Sequence, residues 1–463
     1  MSNSRWFPLS PYFLLVLSLS ISFASCSQAT PTPKAPSYTL GTVQTWIGHH
    51  VIPFKTVEPS SSDEDLQPLK QIVGNATIVG LGEQTHGTHE FFTMKLRMLE
   101  FLVTHMGFTT FALENGWDES RLIDKYVLTG QDNLVDLLHD DLYTTWQVQE
   151  FRDLIEWIRA YNADRAHPMK VHFAGIDCAN ISQAAFDEVV AYVRGVDPQQ
   201  AGLIQALYTD IRPTNPTPVF AENFSALPQT IKEQQRDNAQ KVYLFLQAHQ
   251  AAYESQSSKE AFALALQSAH VILQYTKYVT LLAPTHTPFS PSGPGYIYRD
   301  TCMAENVAWL HEHAGGSARM VLSAHNAHIA NTTPFAGLGE HNLGGLLRQQ
   351  YKQQYLTIGT SFFQGSFNAF TPNSFTSYTV GPPPVGSYDY VLGSVGLPLY
   401  LLDIRQTPTG PVRNWVQGPA KLRHIGISFD PAHEAHYYVE GSLQQWFDVI
   451  MHFQTTTASH PLY

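Results

Sequence analysis

Residues 76–117 read ATIVGLGEQTHGTHEFFTMKLRMLEFLVTHMGFTTFALENGW. Ala76 to Gly82 is a short apolar run bounded by glycine, the pattern of a buried strand. From Thr88 to Met106 the apolar residues Phe91, Phe92, Met94, Leu96, Leu99 and Leu102 recur at mostly helical spacing. Phe108 to Glu114 is β-branched and aromatic, which predicts a second strand. Outward from this unit, helical stretches are expected around Trp117–Val127 and Gln147–Asn162, then a third strand at Lys170–Asp177 and a helix at Gln183–Arg194. A helix over roughly Tyr298–His313 leads into a fourth strand, Ala318–His325, and Tyr355–Phe363 reads as a fifth. Strand and helix in alternation predict an α/β fold with a mainly parallel sheet flanked by helices.

Between the third and fourth strands lies a stretch of about a hundred residues, 196–297, that is too long for a plain connection. Residues 196–297 are mostly helical in pattern and end at the proline-rich APTHTPFSPSGPG, a loop by its turn chemistry. This insertion is expected to form a helical, lid-like subdomain over the C-terminal ends of the strands. Its tyrosines, Tyr253, Tyr275 and Tyr278 among them, read mainly as helix packing.

The whole chain has 463 residues, 43% hydrophobic and only 14% charged, enough apolar content for a large core. A net charge of −12 without a basic stretch argues against nucleic-acid binding. The N-terminus differs from the rest. Arg5 precedes the apolar run Phe13–Phe23, and Ala24 and Ser25 then lead to Cys26. This is the layout of an export signal over residues 1–25, and FASC resembles a lipobox in which Cys26 takes the lipid. Residues 26–38 would be a flexible tether and 39–463 the folded body, anchored on the periplasmic side of the bacterial envelope, or secreted if cleavage is ordinary. Cys178 and Cys302 are left in the body, either as a pair or as two buried thiols.

Chemistry gathers at the strand ends, where ligands of open α/β sheets bind. The first strand runs into Glu83, the second into Glu114, the third into Asp177 and the fourth into His325. His86, in a glycine-bounded loop just beyond Glu83, is the candidate general base, with Glu83 or Glu114 to steady its imidazolium. His325 and His328 are candidates to orient a carbonyl or meet its oxyanion. His89 and Glu90 belong to the first turn of the following helix, and the histidine clusters at His311 and His433 read as surface. There is no GxSxG, and no P-loop or GxGxxG follows a predicted strand. Two rival readings remain: Glu83, His86, Glu114 and His325 as ligands of a divalent metal, and a lipid-anchored binding protein without catalysis.

The stretch Gly80–Trp117 resembles the opening signature of the erythromycin esterase family, and HFAGIDC, RDTCMAENV (Arg299–Val307) and VLSAHNAHI (Val321–Ile329) match it in order. The resemblance implies hydrolysis of a macrolide lactone ester by water, conferring macrolide resistance, with neither a metal nor an organic cofactor. It implies that His86 is the essential histidine, Glu83 its acidic companion, Glu114 the acid closing the second strand, and His325 and His328 the paired histidines. The family's basic residue in the first helix falls on Lys95, where some members carry arginine. Asp300, Met303 and Asn306, spaced along one helix face, and Asp177 are expected to support the substrate pocket. An ester of another natural product or of an envelope polysaccharide stays open as the substrate.

Overall fold

Ile78, Val79, Gly80 and Leu81 are all buried and pair in parallel on both sides, which is why this strand shows no polar alternation. The computed structural model describes residues 38–214, 217–282, 293–316, 318–334, 341–371 and 374–463. The expected export signal, Cys26 and nearly all of the tether lie outside the described residues. The strands, in chain order, are β1 (Ile52–Pro53), β2 (Ile78–Leu81), β3 (Phe108–Gly116), β4 (His172–Asp177), β5 (Arg319–Ser323), β6 (Tyr355–Thr371), β7 (Ser374–Val380), β8 (Leu399–Asp403), β9 (Ala420–Arg423), β10 (Tyr438–Gly441) and β11 (Val449–Thr456).

Nine of them form one sheet in the order β1-β8-β11-β6-β2-β5-β3-β4, with β7 paired to β6. The five expected strands are β2 to β6, and together with β11 they make the parallel part; β8, β1 and β7 join antiparallel. The sheet is therefore mixed but mostly parallel. β5 enters between β2 and β3, which brings the ends of β2, β5 and β3 side by side.

Successive side chains of a strand point to opposite faces, and the core divides accordingly. Val79, Leu81, Phe111, Leu113 and Val321 pack with the His89–Met106 and Gln149–Ala163 helices. Ile78, Ala112, Met320 and Leu322 pack on the other face with the Pro294–His313 and Leu343–Tyr351 helices. A third core joins the Gln183–Val196 helix to the Pro198–Tyr208, Gln229–Ala248 and Lys259–Leu281 helices of the insertion. Tyr253, Tyr275 and Tyr278 are buried in it, as helix packing requires.

The Lys259–Leu281 helix lies lengthwise along the Pro294–His313 helix. Glu260 meets His313 at 3.1 Å at one end, Gln267 donates to Asn306 Oδ1 at 2.9 Å and Gln274 donates to Glu305 at 2.9 Å. Leu282 reaches Gly295 at the other end. Among the described residues of the insertion, that end brings Tyr278 within electrostatic reach of Asp177 at the end of β4. His311, expected at the surface, is instead buried against Thr77 Oγ1 at 3.2 Å, because the face of its helix that carries it packs on the sheet. Cys178 and Cys302 are both fully buried free thiols.

Candidate active site

β2 ends at Leu81, and the next residues turn through Gly82 into Glu83 and His86 before the His89–Met106 helix begins. The turn is held from several sides. Gln84, fully buried, donates to Asp389 Oδ1 and the Arg423 carbonyl, and its side-chain oxygen accepts from Phe362 N. His86 N donates to the Gly426 carbonyl at 3.1 Å. At Gly87 a Cβ would come within 2.0 Å of the Asn368 carbonyl, so only glycine permits this close approach.

His86 Nδ1 lies 3.2 Å from Glu83 Oε1. Glu83 is fully buried, whereas the His86 side chain keeps 11% of its exposure. The other Glu83 oxygen meets the Lys95 ammonium, which also donates to Ser323 Oγ at 2.8 Å. Lys95 is thus a buried tie between the first helix, Glu83 and the end of β5. Burial pushes its amine well below the usual range, against the opposing charge of Glu114. Burial likewise brings His86 down to about 4; Glu114 opposes this, while His328 and Arg299 reinforce it. His86 is therefore neutral at pH 7. With Nδ1–H directed at Glu83, Nε2 is the nitrogen left to accept a proton.

A second, tighter network lies beside it. Arg299 Nε is 3.0 Å from each Asp177 oxygen, and its Nη2 donates to Glu114 Oε1 at 2.8 Å. His328 Nδ1 is 2.5 Å from Asp300 Oδ1, and its Nε2 is 3.2 Å from Glu114 Oε1. Burial would lower His328, but Asp300 and Glu114 outweigh it and hold the imidazolium up to about 10. Burial would raise Glu114, but His328 and Arg299 hold it well below the usual carboxylate range. Asp300 is shifted up by burial, and its second oxygen accepts from Leu343 N at 3.2 Å.

His325 closes the cluster. Its Nδ1 accepts from Ala327 N at 3.1 Å, which makes Nε2 the protonated nitrogen, donating to the Gln84 carbonyl at 3.2 Å. Both nitrogens are thus committed to backbone, and burial keeps the ring's pKa well below the ordinary value. His325 N also donates to Glu114 Oε2 at 2.9 Å. This geometry corrects the expectation that His325 donates to an oxyanion: its ring is a brace, 5.1 Å centroid to centroid from His86.

The expected residues Glu83, His86, Lys95, Glu114, Asp177, Asp300, His325 and His328 thus converge. Two do not. Met303 is fully buried in the apolar core beneath the sheet. Asn306 is fully buried and donates to the Ile176 carbonyl at 2.9 Å while accepting from Gln267. The helix face that carries them is indeed shared with Asp300, but beyond its first turns it packs on β4 and the insertion rather than on a pocket.

Sequence reasoning missed Arg299 and Trp146. Arg299 stands at the head of the quoted RDTCMAENV, but only the folded chain sets it against acids 122 and 185 positions away. Trp146 donates to the Glu114 carbonyl at 3.1 Å and sets its ring edge-on to His86 at 5.0 Å; it lies in a 3-10 turn with no sequence signal of its own.

Glu83, His86 and Glu114 each bring one potential ligand atom within 4.8 Å of the others. Two of these three acids and bases already have cationic partners, Lys95 on Glu83 and Arg299 on Glu114.

The sequence model of the erythromycin esterase family matches residues 103–456. That span takes in Glu114, Asp177, Arg299, Asp300, His325 and His328, while Glu83, His86 and Lys95 precede it. The chain is 23% identical over 428 residues to a putative hydrolase, YbfO, of Bacillus subtilis, covering 90% of this chain and 92% of that one. It is also 23% identical over 433 residues to erythromycin esterase type II of Escherichia coli, covering 90% and 99%. A crystal structure described as a succinoglycan biosynthesis protein superposes with a TM-score of 0.78 at 30% identity, covering 91% of this chain and 98% of that one. By this match over most of its length, the chain belongs to the erythromycin esterase family and is an esterase-like hydrolase.

Proposed function

We propose that this protein opens the lactone ester of a macrolide by adding water, with His86 as general base. The observation that carries the reading is the pairing of His86 Nδ1 with the fully buried Glu83, on a ring that keeps 11% of its exposure where His328 keeps 6%. Water gives a proton to His86 Nε2 as its oxygen attacks the carbonyl carbon. Glu83 steadies the imidazolium that forms. The ring C–O bond then breaks, and the imidazolium returns the proton to the departing alkoxide. His328 and Arg299, both cationic beside the base, supply positive charge toward the tetrahedral oxyanion, an effect of several kcal/mol in known sites (roughly 3–4). Asp300, Asp177 and Glu114 hold those two cations in place, and Lys95 and His325 position the base loop.

The choice of a macrolide rests on the family and on the Escherichia coli relative. A second substrate reading, an ester carried by an exported polysaccharide, is favoured by the succinoglycan biosynthesis protein at 30% identity. A metal-assisted reading has the Glu83, His86 and Glu114 cluster in its favour. The Arg299 guanidinium already balances Glu114 in that cluster, which weighs against a dication there. We place the protein in the cell envelope, lipid-anchored at Cys26, where it would meet the drug before the ribosome does.

The test is incubation of the purified protein with a panel of macrolides, followed by mass. A gain of one water is expected, lost by about 10²–10⁴-fold in rate on His86→Ala. Binding without a mass gain would favour the non-catalytic reading, loss of turnover to a chelator the metal reading, and turnover retained in His86→Ala would remove the base assignment.

A further inference from the structure

On the far side of the catalytic loop, three distant chain segments meet at one carboxylate. His89 opens the His89–Met106 helix, Glu150 lies in the first turn of the Gln149–Ala163 helix, and His460 belongs to the tail beyond β11. His89 Nδ1 is 2.6 Å and His460 Nδ1 2.8 Å from the same Glu150 oxygen, Oε1. One potential ligand atom from each residue lies within 4.8 Å of the other two. The Glu150 side chain is buried while that of His460 is 65% exposed, so the cluster is open on one side. The charges that bear on His89 are those of Glu150, Glu90 and Glu58, all acidic.

We propose that His89, Glu150 and His460 bind a divalent transition metal of the zinc type, at a site separate from the hydrolytic one. Two imidazoles and a carboxylate with an open fourth position are an ordinary donor set for Zn²⁺. The ion takes the place of the hydrogen bonds that now join the two Nδ1 atoms to Oε1. With metal–ligand bonds of about 2.0–2.1 Å, the donor atoms stand about 3.3 Å apart, a small widening that the exposed His460 can follow.

The ion would act as a clasp. Thr457 N and Oγ1 each donate to Glu90 at 2.7 Å, Ser459 N donates to the Gly87 carbonyl at 2.9 Å, and Gln149 N donates to the His460 carbonyl at 2.9 Å. The tail thus already bridges the loop after His86 and the segment after Trp146. A metal at its end ties both helix starts together and stiffens the loop without giving an atom to the reaction.

The test uses the whole folded protein, stripped with a chelator and titrated with Zn²⁺ and with Co²⁺. One ion per chain, a tetrahedral-type visible spectrum with Co²⁺ and a Tm that rises with Zn²⁺ are expected. His460→Ala should weaken Zn²⁺ binding by about tenfold or more and remove the Tm rise, while the metal-free Tm stays near that of the parent. His86→Ala should bind the ion as the parent does. No binding of either ion by the parent, unchanged affinity in His460→Ala, or loss of binding in His86→Ala would each overturn the proposal.

Discussion

At the scale of single residues, the site divides its protons between two histidines of opposite habit. His86 is held down to about 4 by burial, and His328 is held up to about 10, its acids outweighing burial. His86 is therefore the unprotonated base above about pH 4, and His328 keeps its charge until about pH 10. The predicted kcat/KM profile falls as pH drops through about 4 and again as pH climbs through about 10, with no inflection near the ordinary histidine value of 6.5. A limb at pH 6–7 that vanishes in His86→Gln would show that the base titrates normally and that this account of its burial is wrong. A base of such low pKa is intrinsically weak, which is why Glu83 at Nδ1 matters: its charge favours the imidazolium as the proton moves.

Among the elements, the Pro294–His313 helix links the sheet to the insertion, and Arg299 is its fastening. One guanidinium serves Asp177 at the end of β4 and Glu114 near the end of β3. Removing it leaves the buried Asp177 without its cation and Glu114 with His328 alone. Arg299→Met is expected to lower stability by about 3–5 kcal/mol in chemical denaturation, much more than a surface arginine would. A change under about 1 kcal/mol would mean that water or Lys95 takes over the charge. The elements themselves were legible to different degrees. β2 and β5 are short, mostly apolar runs and β3 is β-branched and aromatic, so their type is read directly. β6 was foreseen only to Phe363 yet continues to Thr371, because β7 pairs with that extension. β8 and β11 were not foreseen. β11 lies beside β6 in parallel although some ninety residues separate them, a pairing that no local pattern announces.

For the whole molecule, the export signal proposed for the N-terminus is tested apart from the folded body. Among the described residues no helix is long and apolar enough to cross a membrane, and the anchor proposed above is a lipid on Cys26. In a bacterial host, palmitate label is expected in the wild-type chain and absent from Cys26→Ser, which should leave the membrane fraction. Unlabelled wild-type protein in the medium would instead mark ordinary signal cleavage.

The order of strand and helix from β2 to β6, the mainly parallel class of the sheet, and the arrival of Glu83, Glu114, Asp177 and His325 at one rim could be read from the chain alone. A residue that directly follows a buried apolar strand has to emerge at the strand's end, so local sequence decides its address. Which charges face each other there was decided only by the tertiary structure. Arg299 and His328 reach Glu114 from elements far away in the chain, the His325 ring is consumed by backbone, Met303 and Asn306 turn into the interior, and a C-terminal histidine meets His89 and Glu150. Those contacts depend on strand order and helix packing, and the spacing of residues along a chain does not encode the distance between segments that fold onto one another.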